Sequence, residues 1–148
     1  MARPEAWRLS PDAYPHHEIV QTRFQDLDVL GHINNVGMAA LLETGRVKFN
    51  QASGLDKWRR DRRWLVAQVI INYLGEGYFP DDVMVASGIG EIGTRSWQIM
   101  SAAFQNGAPI ATCDTVVVMS GDSGAKALPD DYRAALTAWQ VAPDSFRR

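Results

Sequence analysis

The sequence predicts a single α+β domain, with one long buried helix lying against an antiparallel sheet. Two observations carry this. An uninterrupted helical stretch runs from Val36 to about Ser53, and four strand-like runs separated by short turn signals follow residue 63. Apolar residues lie on more than one face of each. Curling the sheet around a central helix is the economical way to bury them within 148 residues.

Taken in order, residues 1–15 contain Pro4, Pro11 and Pro15 and are expected to form an extended arm. His17 to Gln25 (HEIVQTRFQ) is rich in β-branched residues and reads as the first strand. Asp26 to Asn35 (DLDVLGHINN) is a polar loop with a glycine, in which Asn34 or Asn35 is placed to cap a helix. Val36 to Ser53 lacks proline, and Gly54 stands where a helix stop is expected. Met38, Leu42, Gly45 and Phe49 recur at helical spacing, and so do Val36, Ala40 and Val47, which predicts a largely buried helix. Gly37, Ala39, Ala40 and Gly45 would let another backbone come close.

Trp64–Leu74, Val83–Ile92, Ser96–Gln105 and Pro109–Ser120 then read as strands, and Asn106-Gly107 is the sharpest hairpin signal. Consecutive runs joined by such short turns are expected to pair antiparallel. Val69 and Ile71 alternate with Val66 and Ile70, so both faces are apolar. A helix on one side and a partner subunit on the other would cover them, predicting a homo-oligomer, a dimer or a dimer of dimers. Pro129 to Trp139 reads as a closing helix. No repeat or domain linker interrupts residues 1–148.

Composition narrows the function. With 46% apolar and 22% charged residues this is an ordinary globular chain, and a net charge of −2 gives no footprint for nucleic acid or an anionic membrane. Cys113 has no partner thiol for a disulfide, and His16, His17 and His32 lack metal-ligand spacing. No apolar run is long enough to span a bilayer, and the N-terminus lacks the apolar core of a signal peptide, so a cytoplasmic location is expected.

The polar residues concentrate in one loop: Asp26, Asp28, His32, Asn34 and Asn35, directly before the helix. Asp28 can act as a general base or as a nucleophile, and Gly31 permits a turn closed to other residues. The helix start offers unpaired N–H groups and the positive end of its dipole, where a developing oxyanion would be stabilised. Thioester hydrolysis needs little more, because its leaving group is the thiolate of a fairly acidic thiol. Asp26 is expected to pair with Arg23 or cap the loop. His32 either orients Asp28, binds substrate, or is held by backbone. Asn34 is expected to shape the loop.

The string Asp-Leu-Asp-Val-Leu-Gly-His-Ile-Asn-Asn, with Glu43-Thr44-Gly45-Arg46 on the helix, resembles the 4-hydroxybenzoyl-CoA thioesterase family of hotdog proteins. It is also similar to the plant acyl-carrier-protein thioesterases, whose pattern includes Asp-x-Asp-x-x-x-His-x-Asn-Asn. The order of elements agrees over about residues 17 to 135. The resemblance implies a hotdog fold, acyl-CoA as substrate, no cofactor, and a site at a dimer interface with the acyl group along the helix. It makes Asp28 the catalytic carboxylate and places the carbonyl-polarising amide near Asn35. Some relatives instead carry the carboxylate on this helix, which makes Glu43 a competitor; its alternative is an ion pair with Arg46 at i+3. Met38 stands where an aromatic is common, so the acyl pocket is expected to differ. The Asn/Cys partners of the plant enzymes are not evident.

Asp28, His32, Asn35 and Glu43 are therefore the catalytic candidates, and Asn34, Met38, Arg59 and Arg60 the substrate-binding ones. The last two belong to a basic run (Lys57, Arg59, Arg60, Arg62, Arg63) that either holds CoA phosphates or is a solvated face. Two other functions share the fold: a hydratase or dehydratase built on an Asp28/His32 pair, and a non-catalytic acyl-binding module.

Overall fold

The computed structural model describes residues 3–59 and 63–146. The elements are β1 (His16–Val20), α1 (Asn35–Ala52), β2 (Arg63–Tyr73), β3 (Val83–Ile92), β4 (Ser96–Gln105), β5 (Ala108–Gly121), β6 (Gly124–Ala125) and α2 (Asp130–Thr137). The sheet runs β1-β3-β4-β5-β2, every neighbouring pair is antiparallel, and β6 adds to β5. This curled sheet around one long helix is the expected hotdog architecture.

Helix α1 begins where Asn34 accepts the Gly37 N–H at 2.7 Å, and the chain leaves it through Gly54 at φ 76°. Its inner face packs Met38, Leu41 and Leu42 on Val83, Val85 and Ala111, and Phe49 joins Ile89, Trp97 and Ile99 at the other end. Gly45 allows this approach, because a Cβ there would overlap Val85 of β3. Strand β3 is buried on both faces: Val83, Val85 and Ile89 meet the helix side, and Ala86 meets residues from the N-terminus. The β4–β5 hairpin turns at Asn106 (φ 51°) and Gly107 (φ 81°), the two positive angles that a tight hairpin of matching twist requires.

Four expectations are corrected. The first fifteen residues are not an extended arm. Ala6–Leu9 and Pro11–Ala13 are 3-10 helices, and Trp7, Ala13 and Tyr14 are buried over Ala86, Ala102 and Phe104. The first strand stops at Val20, because Arg23 and Asp26 close a 3-10 turn over Phe24–Asp26 that ends the extended chain. Strand β2 does not pair with its successor β3. Residues 74–82 carry the chain across to β3, leaving β2 on the far side of β5, with Tyr73 opposite Ala111 and Arg63 opposite Ser120. Helix α1 is buried on one face only, since the sheet lies on one side of it. Val36 and Val47 remain exposed.

Among the described residues no helix is long and apolar enough to cross a membrane. Cys113 lies buried in β5, where burial pushes its thiol pKa up and leaves it a small protonated core residue.

Candidate active site

The loop between β1 and α1 is closed by a small bridge between Leu27 and Ile33. Inside it the Asp28 N–H donates to the His32 carbonyl (2.9 Å), the Gly31 N–H donates to the Asp28 carbonyl (3.1 Å), and Gly31 takes φ 82°. The Asp28 carboxylate completes the turn through one oxygen: Oδ1 accepts from Leu30 N–H (2.8 Å) and His32 N–H (3.2 Å). Its Oδ2 accepts no hydrogen bond among the described residues, and the side chain is exposed. One oxygen thus fixes the carboxylate while the other stays available.

The loop is seated by its other aspartate. Asp26 is buried, pairs with Arg23 at 2.7 Å, and its carbonyl accepts the Asn34 N–H at 2.8 Å. A Cβ on Gly37 would overlap Asp26, so the first turn of α1 rests directly on this residue. The structural role expected of Asp26 is what the geometry shows.

Asn34 caps α1 through its side chain, and its carbonyl accepts from Met38 N–H at 2.8 Å. Asn35 and Val36, at the first two helical positions, have amides with no intrahelical acceptor, and both residues are exposed. In and beside the loop, Phe24, Val29, Leu30 and Val36 are exposed on a single chain.

The other candidates are spread out. The His32 imidazole turns to Glu76, with Nε2 3.1 Å from Oε2, and packs edge-to-face on Tyr78; it is the His32 backbone that holds Asp28. Met38 is buried in the core of the chain. Glu43 lies on the exposed face of α1, 69% exposed and 3.6 Å from Arg46, whose other nitrogen reaches Thr115 at 3.2 Å. Lys57 and Arg63 are exposed. Arg60 and Arg62 lie outside the described residues, as does the side chain of Arg59.

Glu76 and Tyr78 are site neighbours that the sequence does not announce, because they sit among the Gly/Pro/Asp residues of a turn far along the chain. The Tyr78 hydroxyl donates to Glu76 at 3.1 Å, and that bond to a carboxylate, followed by the charge itself, raises the phenol pKa.

Comparison with known proteins supplies the family. No curated protein matches the chain significantly in sequence. Among solved structures it is similar to a Pseudomonas aeruginosa protein, with 28% identity and a TM-score of 0.77 over 89% of this chain and 96% of that one. It is similar to a predicted thioesterase from Bacillus stearothermophilus, with 29% identity and a TM-score of 0.77 over 86% and 97%. A third is a Thermus thermophilus thioesterase in complex with coenzyme A and zinc, with 26% identity and a TM-score of 0.76 over 87% and 96%. The sequence profile of the thioesterase-like superfamily matches residues 22–136, from the end of β1 through α2, and the chain belongs to that superfamily.

Proposed function

We propose that this protein hydrolyses acyl-CoA thioesters to a carboxylic acid and free CoA, in a site completed by a second copy of the chain. The observation that carries the reading is the Asp28 carboxylate, pinned through Oδ1, free at Oδ2, and followed seven residues later by the open amides of α1. Either Asp28 takes the proton of a water that attacks the carbonyl carbon, or its carboxylate attacks directly and a water then hydrolyses the mixed anhydride, freeing the acid and Asp28. The carbonyl oxygen becomes negative against the amides of Asn35 and Val36, and the C–S bond breaks to release CoA thiolate. The neighbouring thioesterase that holds coenzyme A supports the choice of CoA. The turn of the His32 imidazole towards Glu76 speaks against a hydratase resting on an Asp28/His32 pair.

A second copy is called for by β2. This edge strand spans eleven residues, and Leu65, Val66, Val69, Ile70 and Tyr73 on it are exposed. An edge so long and apolar pairs with another chain unless it is covered. Val36, Glu43 and Val47 share the exposed face of α1, seven and four residues apart, and would be covered in the same assembly. Sedimentation velocity at micromolar concentration should show a dimer or larger species; a monomer there would overturn the shared site.

Thiol release from a panel of aliphatic and aromatic acyl-CoAs tests the activity. Turnover of at least one is expected. Hydration of an enoyl-CoA with no thiol released from any member would replace this reading. The basic run is assigned to the CoA phosphates. Neutralising Arg59, Arg60, Arg62 and Arg63 together should therefore raise KM and leave kcat nearly unchanged, the pattern of lost uniform binding.

A further inference from the structure

Residues 74–82, which cross from β2 to β3, lie against the Asp28 loop and are themselves held by the sheet. Gln105, buried at the end of β4, accepts the Tyr78 N–H at 2.8 Å and donates to the carbonyls of Tyr78 (2.8 Å) and Asp81 (2.9 Å). Two contacts then reach from this anchored segment to the loop. The Gly77 carbonyl accepts the Ile33 N–H at 2.8 Å, and Glu76 Oε2 meets His32 Nε2 at 3.1 Å. The same Glu76 oxygen accepts from the Tyr78 hydroxyl at 3.1 Å, and the Tyr78 ring meets the imidazole edge-to-face at 5.3 Å between centroids. His32 in turn gives Asp28 two backbone bonds, one to its carboxylate and one to its N–H.

Resting on the thioesterase reading, we propose that Glu76 is a positioning residue for Asp28, acting through His32. The carboxylate beside Nε2 and the Tyr78 ring against the imidazole together hold the ring's rotation. The backbone that carries the Asp28 bonds is thereby tied to a segment anchored in the sheet, as a site on a loop requires.

Four variants test this: Glu76→Ala, Glu76→Gln, His32→Ala and the Glu76→Ala/His32→Ala double. Glu76→Ala should lower kcat by about tenfold, the scale for misplacing a reacting group by a fraction of an ångström, with KM within about twofold. Glu76→Gln, which keeps the shape of the side chain and an acceptor for the Tyr78 hydroxyl, should recover most of the loss. The double variant should be no slower than His32→Ala alone, because the two residues act in series. Losses that multiply in the double variant would overturn the proposal, and so would an unchanged kcat in Glu76→Ala.

Nitrogen NMR of the His32 ring and amide exchange at Leu30 and His32 read the same coupling without turnover. Glu76→Ala should change the ring-nitrogen shifts and exchange both amides faster. If no acyl-CoA releases thiol, the thioesterase reading fails while these measurements still decide the coupling. If thiol is released but ring and amides are unchanged in Glu76→Ala, the coupling alone fails.

Discussion

Asp28→Asn is expected to lower kcat for thiol release by at least about 10²-fold, the lower range for removing a positioned base. The replacement separates chemistry from architecture. Asparagine keeps an Oδ1 able to accept from Leu30 N–H and His32 N–H, so the turn retains its bonds, whereas the open Oδ2 becomes an NH₂ donor. The midpoint of thermal unfolding should therefore move by less than about 2 °C, as for other exposed substitutions. Asp26→Asn should behave in the opposite way. That carboxylate is buried against Arg23 and supports the loop, so its loss should cost stability first and kcat much less. Glu43→Gln decides between the two carboxylates proposed for the chemistry. If it abolishes thiol release in a folded protein while Asp28→Asn is mild, the reacting group sits on α1 and the assignment of Asp28 is wrong.

Arg8→Ala should be the most destabilising single change in the N-terminal segment, costing about 3 kcal/mol and lowering the unfolding midpoint by roughly 10 °C. Arg8 is buried under the arm. Its Nε donates to the Tyr14 hydroxyl at 2.8 Å, Nη2 donates to the Ser101 carbonyl at 3.1 Å, and the same nitrogen lies 2.8 Å from Asp114 of β5. Burial alone would lower the pKa of this guanidinium, but Tyr14 and Asp114 together outweigh it and the net shift is upward. Removing Arg8 leaves a half-buried carboxylate and a buried phenol without their cation, and releases Trp7 and Tyr14 from the outer face of the sheet. Calorimetry and limited proteolysis of residues 1–15 would report the effect. An unchanged midpoint would show that the arm is held by its apolar contacts alone.

The elements were legible where local chemistry decides them. The cap at Asn34, the stop at Gly54, the Asn106-Gly107 turn and the bounds of β3 and β4 all stand where the residues place them. What the residues conceal is any partnership made over distance. Three prolines do suggest an extended arm, and only the pairing of Arg8 with Asp114 and Ser101 shows why it folds back. The Gly/Pro/Asp break after β2 reads the same whether it closes a hairpin or carries the chain across the sheet, so the β2–β5 pairing had no local signal. The Asp28 loop was legible as a cluster because its members are neighbours in sequence. Glu76 was not, since a glutamate between two glycines looks like turn filler until His32 is found beside it.

The β2–β5 pairing also fixes an order of events. Tyr73 must wait for Ala111, and Arg63 for Ser120, partners that lie 38 and 57 residues further along the chain. The β3-β4-β5 meander closes through short connections, whereas β2 can dock only on a finished β5. During synthesis the segment RWLVAQVIINY therefore leaves the ribosome well before anything exists to pair with it. It is apolar, rich in β-branched residues and free of proline, which is the pattern that associates with other unfinished chains. The yield of native protein should accordingly depend on the time spent between residues 73 and 121. Slowing elongation there would favour insoluble product without altering a single native contact.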